Sequence, residues 1–341
     1  MMVSTNRDRN ITIDIAKGIC IILVVIGHYV PENAPGWYID LITCIYTFHM
    51  PLFLFASGYI YALTKRKESY ISFIKRKCKR LMLPYIVTSI IIISFKLFSS
   101  GVARLDHSVT GTAYIEMFYS PAAGYFLWFI WTLMTMFLIV PFLSSKTARV
   151  IGFVAFFILS VLHPYIKFPD IFCIPQTAAM GAYFLAGVIA LDYKKQLNIS
   201  INTNYILSAF IFIILESLAV YFHGSNDIEY RLYLLIVAYY GILFVVKSSK
   251  MILRFGKVKY TLLAVSGCSY MIYLFHTLFE GIVKACVYKF LLLSATIQFF
   301  IPIALLAITM GVICPMILQN IIKRNKYTSL LFGMKFNDKV A

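Results

Sequence analysis

Three ionisable side chains punctuate the otherwise apolar run DIAKGICIILVVIGHYV at residues 14–30: Asp14, Lys17 and His28. On an α-helix, residues eleven apart complete about three turns and stand about 16 Å apart on one face, which is the relation of Lys17 to His28. Asp14, three residues before Lys17, shares nearly that face and can pair with it. One stripe thus carries an acid–base pair at one end and an imidazole at the other. Charges inside hydrocarbon cost about 2.5–3.5 kcal/mol each on insertion scales, so the stripe is expected to line a bundle interior or a wet cavity. The alternative is that Asp14 and Lys17 snorkel to the headgroups while His28 sits in the opposite interface.

Two further histidines fall at similar predicted depth, His49 in TFHMPLFLFASGYIY and His276 in CSYMIYLFHTLF. An imidazole near its ordinary pKa takes a proton from a hydroxyl and returns it, which is the chemistry of group transfer to an alcohol. A membrane histidine also serves as a helix–helix hydrogen-bonding residue. Glu216, in FIILESLAV, is a second intramembrane carboxylate that either orients an imidazole or bonds a neighbouring helix. No close ligand spacing such as HxxxH is present, so no metal is expected. The stretch TKRKESYISFIKRKCKRLMLPY is strongly basic; if its second cluster is helical, Lys75, Arg76, Lys79 and Arg80 form one face. That face suits either a polyphosphate, held bidentately by guanidinium groups, or anionic lipid heads.

The elements that must position these residues are membrane helices. Of the 341 residues 61% are hydrophobic and 13% charged, against about 45–50% and 25% in soluble domains. Apolar stretches of spanning length fall at about 12–30, 41–63, 81–98, 124–143, 149–163, 175–192, 203–222, 231–247, 261–279 and 297–321. The expectation is therefore an all-α integral-membrane bundle of about ten helices in one domain over 1–341, with short tails at about 1–10 and 323–341. The first run lacks a small-residue cleavage site and is expected to be retained. With the N-terminus in the cytoplasm, 24 of the 31 Lys and Arg lie on the inner side, so both termini are expected to be cytoplasmic. The net charge of +17 then reflects topology with membrane lipid as partner, and nucleic acid is excluded. Seven scattered cysteines without CxxC spacing read as small apolar fillers.

DIAKGICIILVVIGH, FHMPLFLFASGYIY, FIKRKCKRLMLPY, YFLWFIWTLMTMFLI and SYMIYLFH, in that order, resemble the integral-membrane acyltransferase-3 family, in particular its fucose 4-O-acetylase-like branch. The resemblance implies transfer of an acyl group, usually acetyl from acetyl-CoA, to a sugar hydroxyl of a surface polysaccharide or lipid-linked glycan. It implies a multi-pass enzyme of the inner, cytoplasmic membrane, with His28 as the catalytic residue. The family more often has arginine where this chain has Lys17, and lysine keeps the charge but loses the planar fork. Its basic motif, linked to the CoA phosphates, falls on Arg76, Lys77 and Arg80. Combined with the residue reading, acyl-CoA would dock on Lys75, Arg76, Lys77, Lys79 and Arg80. The thioester would then reach along the Asp14–Lys17–His28 stripe, with His49, His276 or Glu216 orienting groups or stabilising the oxyanion. A glycan transporter or flippase would use a charged cavity equally well, and in a non-catalytic scaffold or sensor the histidines would be structural.

Overall fold

The structure, a computed structural model, describes residues 10–31, 34–99, 109–194, 204–224, 227–287 and 297–336. It is all-helical, with no strand among the described residues. In chain order the helices are α1 (Ile11–His28), α2 (Gly36–Leu63), α3 (Tyr70–Lys77), α4 (Leu83–Ser99), α5 (Ala113–Glu116), α6 (Trp128–Ile139), α7 (Lys146–Leu162) and α8 (Ile174–Asp192). They continue with α9 (Tyr205–Tyr221), α10 (Ile228–Ile252), α11 (Gly256–Gly267), α12 (Ser269–Ala285), α13 (Ile297–Ile322) and α14 (Lys326–Leu331). Eight helices or continuous helical runs are long and apolar enough to cross a membrane, and α11 with α12 form a ninth, bent candidate. The apolar α9 is shorter. All ten expected spans therefore have a helical counterpart.

Apolar side chains on the outer helices point away from the bundle. Ile206, Phe210 and Ile213 of α9 and Ile151 and Ile158 of α7 are exposed, which costs nothing when the surrounding solvent is lipid. Helix α1 is the inner post, packed by α2, α10, α11, α12 and α13. Between lipid-embedded helices close fit replaces the hydrophobic effect, so small residues mark the tightest contacts. Gly58 of α2 lies against the Phe184 carbonyl of α8, and Gly187 of α8 against the Phe55 carbonyl of α2. A Cβ at either would strike backbone, so these two helices meet at a distance only this glycine pair permits.

Two local departures from straight helices shape the interior. The expected continuous span at 261–279 is broken at Cys268, and α11 and α12 meet at 79°. The break falls in the small-residue run SGCS, and Gln319 of α13 donates to the freed Gly267 carbonyl at 3.4 Å and to Cys268 Sγ at 3.1 Å. A helix broken at membrane depth needs such a neighbour to satisfy its backbone. The second departure is a π-helical turn over Cys78–Met82, between α3 and α4. The basic stretch is consequently not one regular α-helix, and Lys79 and Arg80 are rotated out of the phase that an α-helix would give them with Lys75 and Arg76.

Part of the expected C-terminal tail is folded. Asn325 caps α14, its side chain accepting from Tyr327 N and Thr328 N. Phe332 then turns inward against Phe275 of α12, with ring centroids 5.9 Å apart. Gly333, at φ +61°, lies against the Lys79 carbonyl and the Arg80 Cα.

Candidate functional site

His28 ends α1, and its ring lies edge-on to that of His276 at 4.9 Å between centroids. The 79° bend makes this meeting possible, because it directs α12 across the end of α1. A straight helix counted from residue 261 would have placed His276 by rise alone; the bend sets its position instead. Phe126, just before α6, closes a third side, 6.1 Å from His28 and 5.3 Å from His276. Tyr273 donates to the Phe126 carbonyl at 2.5 Å, fixing that approach.

One local rule sets the protonation of all three histidines. In each, Nδ1 lies at hydrogen-bond distance from a carbonyl one turn earlier: His28 to Val24 at 2.8 Å, His49 to Ile45 at 2.7 Å and His276 to Ile272 at 3.0 Å. A carbonyl only accepts, so Nδ1 carries the hydrogen and Nε2 keeps its lone pair in the neutral ring. His28 and His276 thus present two proton acceptors, not an acceptor and a donor. His276 is fully buried, and its Nε2 has no hydrogen-bond partner among the described residues.

Tyrosine hydroxyls pin the end of α1 that carries His28. Tyr38 donates to the Ile26 carbonyl at 2.9 Å and Tyr46 to the Gly27 carbonyl at 2.7 Å. These bonds satisfy carbonyls that a helix end leaves without intrahelical partners. The Tyr46 ring touches His28 at 6.4 Å and stacks on His49 at 5.0 Å. His49 is therefore linked to His28 through a tyrosine, whereas His276 contacts it directly.

Glu216 accepts from Thr47 Oγ1 at 2.8 Å, so its partner is a hydroxyl of α2 rather than an imidazole. Asp14 and Lys17 are half-buried toward the opposite end of α1, about 16 Å of helix from His28 in the case of Lys17. They share the helix with His28 without joining the imidazole cluster.

A carboxylate that sequence reasoning missed stands one turn beyond His276. Glu280 is 1% exposed, and its Oε1 has no hydrogen-bond partner among the described residues. Its space is left by Gly311 of α13, where a Cβ would come within 3.1 Å of Oε1. The signal was the spacing HTLFE, which puts an acid four residues after a histidine on one helical face.

The basic stretch lies at the other end of the bundle. Ser69 caps α3, and Glu68 forms a two-point ion pair with Arg76, whose second contact, Nε to Oε2, is 3.3 Å. The Arg76 guanidinium beside Glu68 holds its carboxyl below the usual carboxylate range. Lys77 turns inward, its ammonium 3.4 Å from the centre of the Phe137 ring and 5.4 Å from that of Phe73, a cation–π arrangement. Lys75, Lys79 and Arg80 are exposed. Tyr270, at the start of α12, donates to the Leu81 carbonyl at 2.8 Å within the π-turn. The helix that carries His276 is thereby tied to the basic turn. No group of three His, Cys, Asp or Glu suited to a metal ion occurs among the described residues.

Residues 10–319, nearly the whole chain, match the family model described as "Acyltransferase domain", the acyltransferase-3 family. The chain belongs to that family. The helices and both clusters described above, apart from the last residues of α13, α14 and the Phe332–Gly333 contacts, lie within the matched region. Among curated proteins it is similar to Nodulation protein NolL of Sinorhizobium fredii (strain NBRC 101917 / NGR234), 32% identical over 144 residues, or 41% of this chain and 38% of that protein. Nodulation protein NolL of Mesorhizobium japonicum (strain LMG 29417 / CECT 9101 / MAFF 303099) is 28% identical over 153 residues, 41% of this chain and 37% of that protein. The chain thus spans less than half the length of these relatives. No solved structure matches it significantly.

Proposed function

We propose that this acyltransferase moves an acetyl or similar small acyl group from acyl-CoA to a hydroxyl of a cell-surface polysaccharide or lipid-linked sugar. The observation that carries the reading is the pairing of His28 with His276, each ring tied through Nδ1 so that Nε2 accepts. His28 Nε2 takes the proton of the sugar hydroxyl as the oxygen attacks the thioester carbonyl. The tetrahedral intermediate collapses with loss of CoA thiolate, which takes the proton back from His28. His276, with its own Nε2 lone pair, accepts from a neighbouring substrate hydroxyl and so orients the attacking oxygen. Tyr38 and Tyr46 hold the end of α1 still, and His49 packs behind Tyr46. Position matters here, since small displacements of a reacting group cost orders of magnitude in rate.

The donor reading rests on Arg76, Arg80, Lys75 and Lys79 as phosphate-facing cations, with Lys77 as the aromatic-seated anchor of their helix. Excess Lys and Arg on the side of the basic turn supports cytoplasmic termini, an inner-membrane location and entry of acyl-CoA from the cytoplasm. Thioester and hydroxyl then approach His28 from opposite ends of the bundle, with the Asp14–Lys17 stripe of α1 between the basic turn and the imidazoles.

The test is transfer of label from acetyl-CoA to surface glycan by membranes containing the wild type or His28→Ala. The expected result is loss of transfer with unchanged membrane insertion. Retained transfer by the variant would overturn the assignment.

A further inference from the structure

A pocket of about 250 Å³ opens at the His28 end of the bundle, lined by Lys96 of α4, Thr110, Glu116 of α5, Ala122, Gly124 and Tyr125 among others. Its polar groups are already directed. Glu116 Oε1 accepts from Thr112 Oγ1 at 2.8 Å, so Thr112 accepts in turn from Thr110, 2.7 Å away. Thr110 therefore spends its proton within the loop and offers an oxygen lone pair to a ligand. Tyr125 is arranged the other way: its hydroxyl accepts from Gln176 Nε2 at 2.9 Å and keeps its proton for donation. Its ring is 63% exposed and presents an aromatic face. An acceptor, a donor, a charge of each sign and an open ring face in one small pocket match a polyhydroxylated, uncharged molecule.

The pocket shares a wall with the imidazole pair. Gly124 and Tyr125 line it, and the next residue is Phe126, which touches both His28 and His276. A Cβ on Gly124 would strike the Phe126 ring, so glycine there lets the ring fold beneath the pocket. Resting on the acyl-transfer reading above, we propose that this pocket is the acceptor subsite, seating one neutral sugar unit. Phe126 partitions the sugar from the imidazoles until its side chain turns aside.

The test uses the full chain purified in detergent, with labelled acetyl-CoA as donor and methyl α-fucoside and methyl α-glucoside as acceptor probes, beside surface-glycan acetylation in cells. Tyr125→Phe and Thr110→Val each remove one hydrogen bond and should raise the acceptor KM about ten-fold, the equivalent of about 1.4 kcal/mol. The acyl-CoA KM and the kcat at saturating acceptor should stay within about two-fold, which a merely structural defect would not leave intact. Ala122→Trp fills the pocket and should abolish transfer to glycoside and glycan while His28-dependent hydrolysis of acetyl-CoA persists. Unchanged acceptor KM in the first two variants, or glycan acetylation by Ala122→Trp at the wild-type rate, overturns the subsite. A wild type that acetylates its glycan but saturates with neither glycoside overturns the single-sugar assignment. Transfer surviving His28→Ala instead brings down the acyl-transfer reading, so the two failures are distinguishable.

Discussion

The two ends of this bundle handle polar chemistry in opposite ways. At the imidazole end each ring donates its Nδ1 hydrogen to a backbone carbonyl of its own helix, and His49 and His276 are buried. At the basic end Lys75, Lys79 and Arg80 stand in the open, and Arg76 shares its charge with Glu68. The buried end works by fixed geometry in a medium of low dielectric, where each partner counts heavily. The exposed end works by summed charge, which acts at longer range, tolerates displacement and weakens with salt.

The sharpest way to break this contrast is at the imidazoles. His28→Gln keeps polarity but removes the proton acceptor, and should lower kcat about 10²–10⁴-fold, the usual range for a general base. His276→Gln, which loses orientation alone, should cost less; equal losses would make the pair one unit. At the basic end Arg76→Ala with Arg80→Ala should raise the acyl-CoA KM about ten-fold or more, with kcat at saturation nearly unchanged. That KM should climb with ionic strength in the wild type and climb less in the variant. A flat salt dependence would mean that the turn only anchors the bundle.

Gly333→Ala tests whether the exposed end is as tolerant as charge alone suggests. A Cβ at φ +61° costs about 1–2 kcal/mol, and here it would also meet the Lys79 carbonyl. Thermal unfolding in detergent should shift by that amount, and the acyl-CoA KM should rise because the π-turn is displaced. The smallest effect is expected from pH. Glu68 is held below its ordinary value by Arg76, so its contribution is present above the unfolded-state pKa and lost as pH falls through the depressed one. As the pH falls through that depressed value, protonated Glu68 releases Arg76, and acyl-CoA binding measured by titration should tighten slightly. Glu68→Gln should show no such step.

Much of the architecture was legible from apolar run length, because a lipid solvent demands helices of a set length wherever the chain crosses. The helical counterparts of the ten expected spans lie near their predicted positions. The break at Cys268 was not legible, since its stability depends on Gln319 from another helix. The same holds for Glu216: a buried carboxylate announces that it needs a partner without naming it, and Thr47 is 169 residues away. Lys77 read as one more cation in a basic run; only the placement of Phe137 on α6 turned its ammonium inward. Glu280 was within reach of sequence reasoning through its four-residue spacing from His276.

By itself the sequence determined that the chain is a helical membrane bundle with histidines in its apolar segments, a basic stretch at one end and an acyltransferase pattern along its length. Those properties depend on local composition and on spacings along single helices. The tertiary structure decided that His28 meets His276, that both offer Nε2, that Phe126 touches both rings next to the pocket lined by Gly124 and Tyr125, and that Gly333 braces the basic turn. Each of these rests on groups far apart in the chain, brought together by one bend and by close packing, which no local pattern encodes.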